Sequence, residues 1–181
     1  MTSSLWPNGE FDLPRIPAGW FLRPDGIDAS HSIHGIGHAL RVYLHADAIA
    51  ANLELPPWQR EAVRLAAMWH DIGRTDEEVD YYHGAKSAGK VVGMGLHNGL
   101  DPMVLETALY AVTHHSGSEP LGEQGSVRTP DPIATLAVFR VLKDADALDR
   151  VRLGDLDDRY LRLAPSRARV DVAYELLRQI R

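Results

Sequence analysis

Histidine and aspartate stand side by side in the run LAAMWHDIGR, as His70 and Asp71. An imidazole and a carboxylate so placed offer two donors to one divalent cation, and the remaining ligands must come from distant parts of the chain. His38, about one helix upstream, and Asp146, far downstream, are of suitable types. The sequence contains no cysteine, which excludes disulfides, thiolate zinc sites and cysteine nucleophiles. Any metal is therefore held by His and carboxylate.

Such residues meet only if helices bring them together. From Ser30 onward, Ile33, Ile36, Leu40, Leu44 and Ile49 recur at helical spacing, which predicts a helix from Ser30 or Ser32 to about Leu53. On it His34, His38 and Arg41 share one face, while His31 and His45 read as surface residues. Pro57 suits the first turn of a second helix that carries His70 and Asp71 at its C-terminal end. The two are about 100° apart around that helix, so both reach one ion only near the helix terminus. A third helix is predicted from about His83 to Leu96 and a fourth from Asp101-Pro102 to His114-His115. The segment SGSEPLGEQGSVRTP reads as a long loop and a lid candidate. A fifth helix spans about Asp131 to Leu153, and a last amphipathic one ends the chain. Asp144, Asp146 and Asp149 fall in the otherwise apolar run VFRVLKDADALDRV. Burying carboxylates there costs several kcal/mol unless a cation or hydrogen-bond donors compensate, by the general penalty for burying charge. Asp146 and Asp149 share a face, whereas Asp144 points nearly opposite to Asp146 and, like Asp149, has Lys143, Arg150 and Arg152 as available partners.

Nothing alternates with period two, so the fold class is all-α: one compact single-domain helical bundle of about six helices over residues 30–181. Residues 1–29 hold four prolines and three glycines among Trp6, Phe11, Trp20 and Phe21, and read as an irregular arm that packs on the body and can roof a pocket. The composition of the 181 residues, 45% hydrophobic and 24% charged, is that of an ordinary folded chain. A net charge of −6 with no basic cluster argues against a nucleic-acid polymer or an anionic membrane as partner. Without a signal-like start or a run of about 18 apolar residues, the expected compartment is the cytoplasm.

HALRV at His38, WHDIGR at His70-Asp71 and LKDADALDRV at Asp146 occur in the order and helical context of the HD-domain superfamily of metal-dependent phosphohydrolases, which the chain resembles from about Ser30 to Leu153. The resemblance implies His38, His70, Asp71 and Asp146 as metal ligands, with Asp144 as the alternative for the last. It also makes Arg74 a phosphate-binding group. His83, His114 and His115 match positions that ligate a second ion in binuclear members, where Asp71 bridges; in mononuclear members His83 and His114 contact phosphate or move protons. His34 is then an outer ligand or a partner that orients His38. The donor set suits one or two ions of Mn, Fe, Co, Ni or Zn, or Mg.

The implied activity is hydrolysis of a phosphate ester or anhydride of a small molecule, a nucleotide by analogy with many relatives. Asp71, Arg74, His83 and His114 serve the chemistry in that reading, and Lys86 helps to balance phosphoryl charge. A di-iron oxygenase that cleaves a carbon bond of a small organophosphonate or polyol uses the same positions and is the alternative. Ser-Gly-Ser-Glu-Pro after the His pair, where cyclic-dinucleotide phosphodiesterases have Gly-Tyr-Pro, excludes that branch.

Overall fold

The computed structural model describes residues 13–181 and is all-α, with no strand among the described residues. Eight helices follow one another: α1 Ile36–Asn52, α2 Pro57–Trp69, α3 His83–Gly93, α4 Pro102–His114, α5 Glu119–Ser126, α6 Pro132–Leu148, α7 Ala164–Arg167 and α8 Val170–Gln179. Short 3-10 turns occupy Ala18–Phe21, Asp149–Leu153 and Asp158–Tyr160. Among the described residues no helix is long and apolar enough to cross a membrane.

The starts of α4 and α6 show why the chain folds locally as it does. Asp101 accepts from Met103 N (2.8 Å) and Val104 N (3.3 Å), and Asp131 accepts from Ala134 N (3.0 Å), so both carboxylates satisfy backbone N–H groups that a helix leaves unpaired. A proline follows each cap, where the missing N–H costs nothing. α2 lies in the middle of the bundle and packs against α1, α4 and α6, with α3 laid along α4. Trp69, Phe139, Ile49, Leu142 and Leu148 fill the space between them and are fully buried.

Three departures from the sequence reading have physical causes. α1 begins at Ile36, because residues 30–35 fold into turns in which Gly35 N donates to Ser32 O (2.9 Å) and Ile36 N to Ser30 O (2.8 Å). The segment read as a lid contains α5, which is fastened to the body: Tyr110 donates to Gly122 O (2.6 Å), Arg140 pairs with Glu123 (2.7 Å), and Arg162 pairs with Glu119. The C-terminal amphipathic stretch is divided into α7 and α8. Of the N-terminal arm, Trp6 and Phe11 lie outside the described residues, while Ile16 and Phe21 are buried in the core.

Candidate metal centre

Five helices meet at one end of the bundle. His38 projects from the first turn of α1, His70 and Asp71 follow the end of α2, His83 opens α3, His115 follows α4, and Asp146 sits in the last turn of α6. His38, His70, Asp71, His83 and His115 are all buried.

The imidazoles are oriented by a recurring device. A helix leaves its last carbonyls without partners, and the histidine just past each end supplies one. His70 Nδ1 donates to Ala67 O at 2.8 Å beyond α2, and His115 Nδ1 donates to Val112 O at 2.7 Å beyond α4. His83 Nδ1 donates to Asp80 O in the same i to i−3 sense. His38 Nδ1 donates to the Asp149 carboxylate at 2.7 Å. A carbonyl oxygen only accepts, so Nδ1 of His70, His83 and His115 carries a proton, and the Nε2 of every ring is turned to the interior.

The Nε2 atoms face one another in two pairs: His38 Nε2 lies 2.9 Å from His70 Nε2, and His83 Nε2 lies 2.9 Å from His115 Nε2. Two lone pairs at that distance repel unless a positive charge lies where they converge. Asp71 spans the two pairs. Its Oδ2 is 3.4 Å from His38 Nε2 and 3.7 Å from His70 Nε2, and its Oδ1 is 3.0 Å from His83 Nε2 and 3.7 Å from His115 Nε2. Asp146 Oδ1 joins the first pair, 3.4 Å from His38 Nε2. Buried Asp71 Oδ1 accepts no well-aligned hydrogen bond, although such groups are seldom left unsatisfied. The donor set, the facing lone pairs and this orphaned oxygen all fit a divalent cation; His38, His70 and Asp146 form one tight group, and His70, Asp71 and His115 another.

The charges favour the same state. Burial alone would raise the Asp71 pKa, but the surrounding imidazoles, His70 first and then His115, His34 and His38, hold it well below the ordinary carboxylate range. Burial pushes His70 down to about 3, so this ring is neutral at physiological pH. Asp146 is held low against its burial chiefly by His70 and His38. Its side chain retains 35% exposure, and the centre opens to solvent on that side.

His34 sits in the turn before α1 instead of on the helix face, and its Nδ1 lies 2.8 Å from Asp71 Oδ2. Asp149, which sequence reasoning left among available ion-pair formers, orients His38 and is itself gripped by Arg41 through Nε (2.6 Å) and Nη2 (2.9 Å). Asp144, the alternative last ligand, points away and accepts from Arg162 N, Leu163 N and Arg162 Nη1. His114 is outside the cluster: a step of about 100° from His115 turns its ring onto Tyr110, with centroids 4.4 Å apart. The inward residue of the pair is His115. Lys86 pairs with Asp80 at 2.7 Å and does not line the cleft over the centre. His31 is exposed as expected, but His45 is fully buried, with its Nδ1 accepting from Arg169 Nε at 3.3 Å.

Above the two histidine pairs lies a cleft of about 520 Å³, lined by Arg74, His83, His115, Lys143, Asp146 and Arg162 among others. Arg74 Nε is 3.2 Å from Asp71 Oδ2, and Lys143 Nζ donates to His115 O at 2.9 Å. Sequence reasoning missed Lys143 and Arg162 as cleft residues, since only tertiary packing carries Arg162 back over α6. A larger cavity of about 730 Å³ lies beside α1 among Ile33, Ile36, Leu40 and Leu177, but of the clustered donors only His38 borders it.

Comparison with known proteins accords with this geometry. No curated protein and no solved structure matches the chain. The family model described as the HD domain matches residues 35–151, a span that contains every clustered donor from His38 to Asp146 and also Asp149. The chain belongs to the HD-domain family, within the superfamily of metal-dependent phosphohydrolases.

Proposed function

We propose that the protein hydrolyses a phosphate ester or anhydride of a small molecule, a nucleotide being the first class to test, and that it does so with two divalent cations. The observation that carries this reading is Asp71, which turns one carboxylate oxygen to each of two facing histidine pairs. His38, His70, Asp71 and Asp146 would hold one ion, and His83, His115 and Asp71 the other. Bound divalent ions supply Lewis acidity toward phosphoryl oxygens and lower the pKa of water toward neutrality.

The chain's own residues do the rest. Arg74 and Lys143 place positive charge on the cleft wall beside the cluster, where they balance the phosphoryl oxygens as charge develops. Arg162 is committed to Glu119 and Asp144 and holds the rim. Asp80, Val112 and Ala67 carbonyls fix the Nδ1 protons of His83, His115 and His70, so these rings present Nε2 inward without rearrangement. Buried Asp149 does the same for His38.

Elemental analysis of the purified protein, followed by a phosphate-release screen over nucleotides and sugar phosphates with Mn, Co, Ni, Zn or Mg, tests the proposal. Two ions per chain and metal-dependent phosphate release are expected. The same paired geometry also favours one second reading, a di-iron oxygenase acting on a small organophosphonate or polyol. Two Fe per chain, a mixed-valent spectroscopic signal and no phosphate release from any compound would replace the hydrolase with it.

A further inference from the structure

Arg74 belongs to two cavities. One is the cleft over the candidate metal centre; the other, of about 430 Å³, lies between the N-terminal arm, the segment after α2 and the side of α3. Four cationic side chains line the second cavity, Arg23, Arg74, Lys86 and Lys90, and among the described residues no carboxylate does, in a chain whose net charge is −6. Such a concentration of one sign is costly without a counter-charge.

The partners of these groups leave donors over. Glu77 pairs with Arg23, Asp80 with Lys86 and Asp71 with Arg74 (3.2 Å), all from outside the lining. Lys90 Nζ donates to Leu22 O at 2.7 Å and Ile72 O at 2.9 Å and has no carboxylate partner among the described residues, and burial lowers its pKa. Arg23 Nε and Arg74 Nε are buried N–H groups without a well-aligned acceptor. Unpaired buried donors of charged groups cost more than neutral ones, and two of the four cations, Arg23 and Arg74, each hold one.

We propose that this cavity binds an anionic group of phosphate or carboxylate type, and that Arg74 stands between it and a phosphoryl group in the metal cleft. The substrate is then a small molecule with two anionic groups. This last step rests on the hydrolase reading, whereas the anion site itself does not.

Equilibrium dialysis of radiolabelled sulfate against the metal-loaded protein tests the site directly. Two equivalents are expected for the wild type, and one for Lys90→Gln and for Arg23→Gln with metal content unchanged. The same number of equivalents in the wild type and in both variants overturns the site. The second variant guards against a folding defect in the first, since Lys90 also ties Leu22 to Ile72. Kinetics then separate the two sources of the anion. If it is the far end of the substrate, a bisphosphate has a KM lower than the matching monophosphate by about tenfold in the wild type only, the scale of one charged hydrogen bond. If it is a free anion, sulfate alters monophosphate turnover without competing. A protein that releases phosphate from neither but still binds two sulfates keeps the anion site and loses the hydrolase reading.

Discussion

His38 Nδ1 donates to Asp149 Oδ2 at 2.7 Å, and both side chains are fully buried. The bond fixes the tautomer that leaves His38 Nε2 free to face His70, and Arg41 fixes Asp149 in turn while donating to Ile180 O at 2.7 Å. A chain of hydrogen bonds therefore runs from the C-terminal segment to a candidate ligand. Asp149→Asn keeps the shape but leaves Arg41 without its counter-charge and blurs the His38 tautomer. Metal affinity should fall roughly 10- to 100-fold, the usual effect of losing a residue that orients a ligand. Competition with a chromogenic chelator measures it, and an unchanged affinity would remove Asp149 from the site.

His114 and His115 are neighbours with opposite fates, one stacked on Tyr110 and the other facing His83. His115→Ala should lower metal content by one ion per chain, and Asp71→Ala, which strips both pairs of their shared carboxylate, should remove both. His114→Ala should leave the metal content intact. Loss of an ion in the His114 variant, with none lost in the His115 variant, would reverse the assignment.

Arg74 and Lys143 share the cleft wall, so alanine at either should raise KM with little change in metal content, as removal of ground-state phosphate contacts does. A rise of about tenfold corresponds to one charged hydrogen bond lost. Unaltered kinetics for Arg74→Ala would leave that residue only its contacts with Glu78 O and Asp71.

What the sequence revealed and what it hid follow from the range of the forces involved. α2, α4 and α6 carry strong apolar periodicity and local start signals, so their positions and the residues at their ends were readable. α5 was not, because EPLGEQGS has two glycines and one large apolar residue and owes its helix to Tyr110, Arg140 and Arg162 from elsewhere in the chain. A phase error of one residue at the end of α4 was enough to exchange His114 for His115. His45 looked like a surface residue because its partner, Arg169, is 124 positions away. The grip of Arg41 on Asp149 spans 108 positions and leaves no local trace either.

His45 has a consequence for acid stability. Burial, with Arg169 beside it, pushes its pKa from 6.5 to about 3. The unfolded chain takes up a proton below pH 6.5, whereas the folded chain does not until about pH 3, so stability declines as pH falls through that window. Between pH 7.5 and pH 5 the loss from this residue is about 2 kcal/mol at 1.36 kcal/mol per unit. His45→Gln, which retains an acceptor for Arg169 and does not titrate, should lose less stability over the same interval. Urea midpoints at the two pH values provide the comparison, and equal losses in both proteins would show that His45 is protonated in the fold.

Gly84 sets the distance between the two helices that supply the second histidine pair. A Cβ there would lie 2.3 Å from Val112 O, 2.8 Å from Thr113 O and 3.0 Å from His115 Nδ1, all on or beside the end of α4. Backbone cannot swing aside as a side chain can, so Gly84→Ala must push α3 away from α4 and His83 away from His115. Overpacking of this kind costs roughly 1–3 kcal/mol. Gly89, on the same helix, has nothing within 4 Å of its Cβ position, and Gly89→Ala should be neutral or stabilising by about 0.5–1 kcal/mol through helix propensity alone. The pair of variants thus separates helix propensity from the close approach. Gly84→Ala should bind one ion where Gly89→Ala binds two, with a lower urea midpoint. Two ions and an unshifted midpoint in Gly84→Ala would mean that the His83–His115 pair does not depend on this contact.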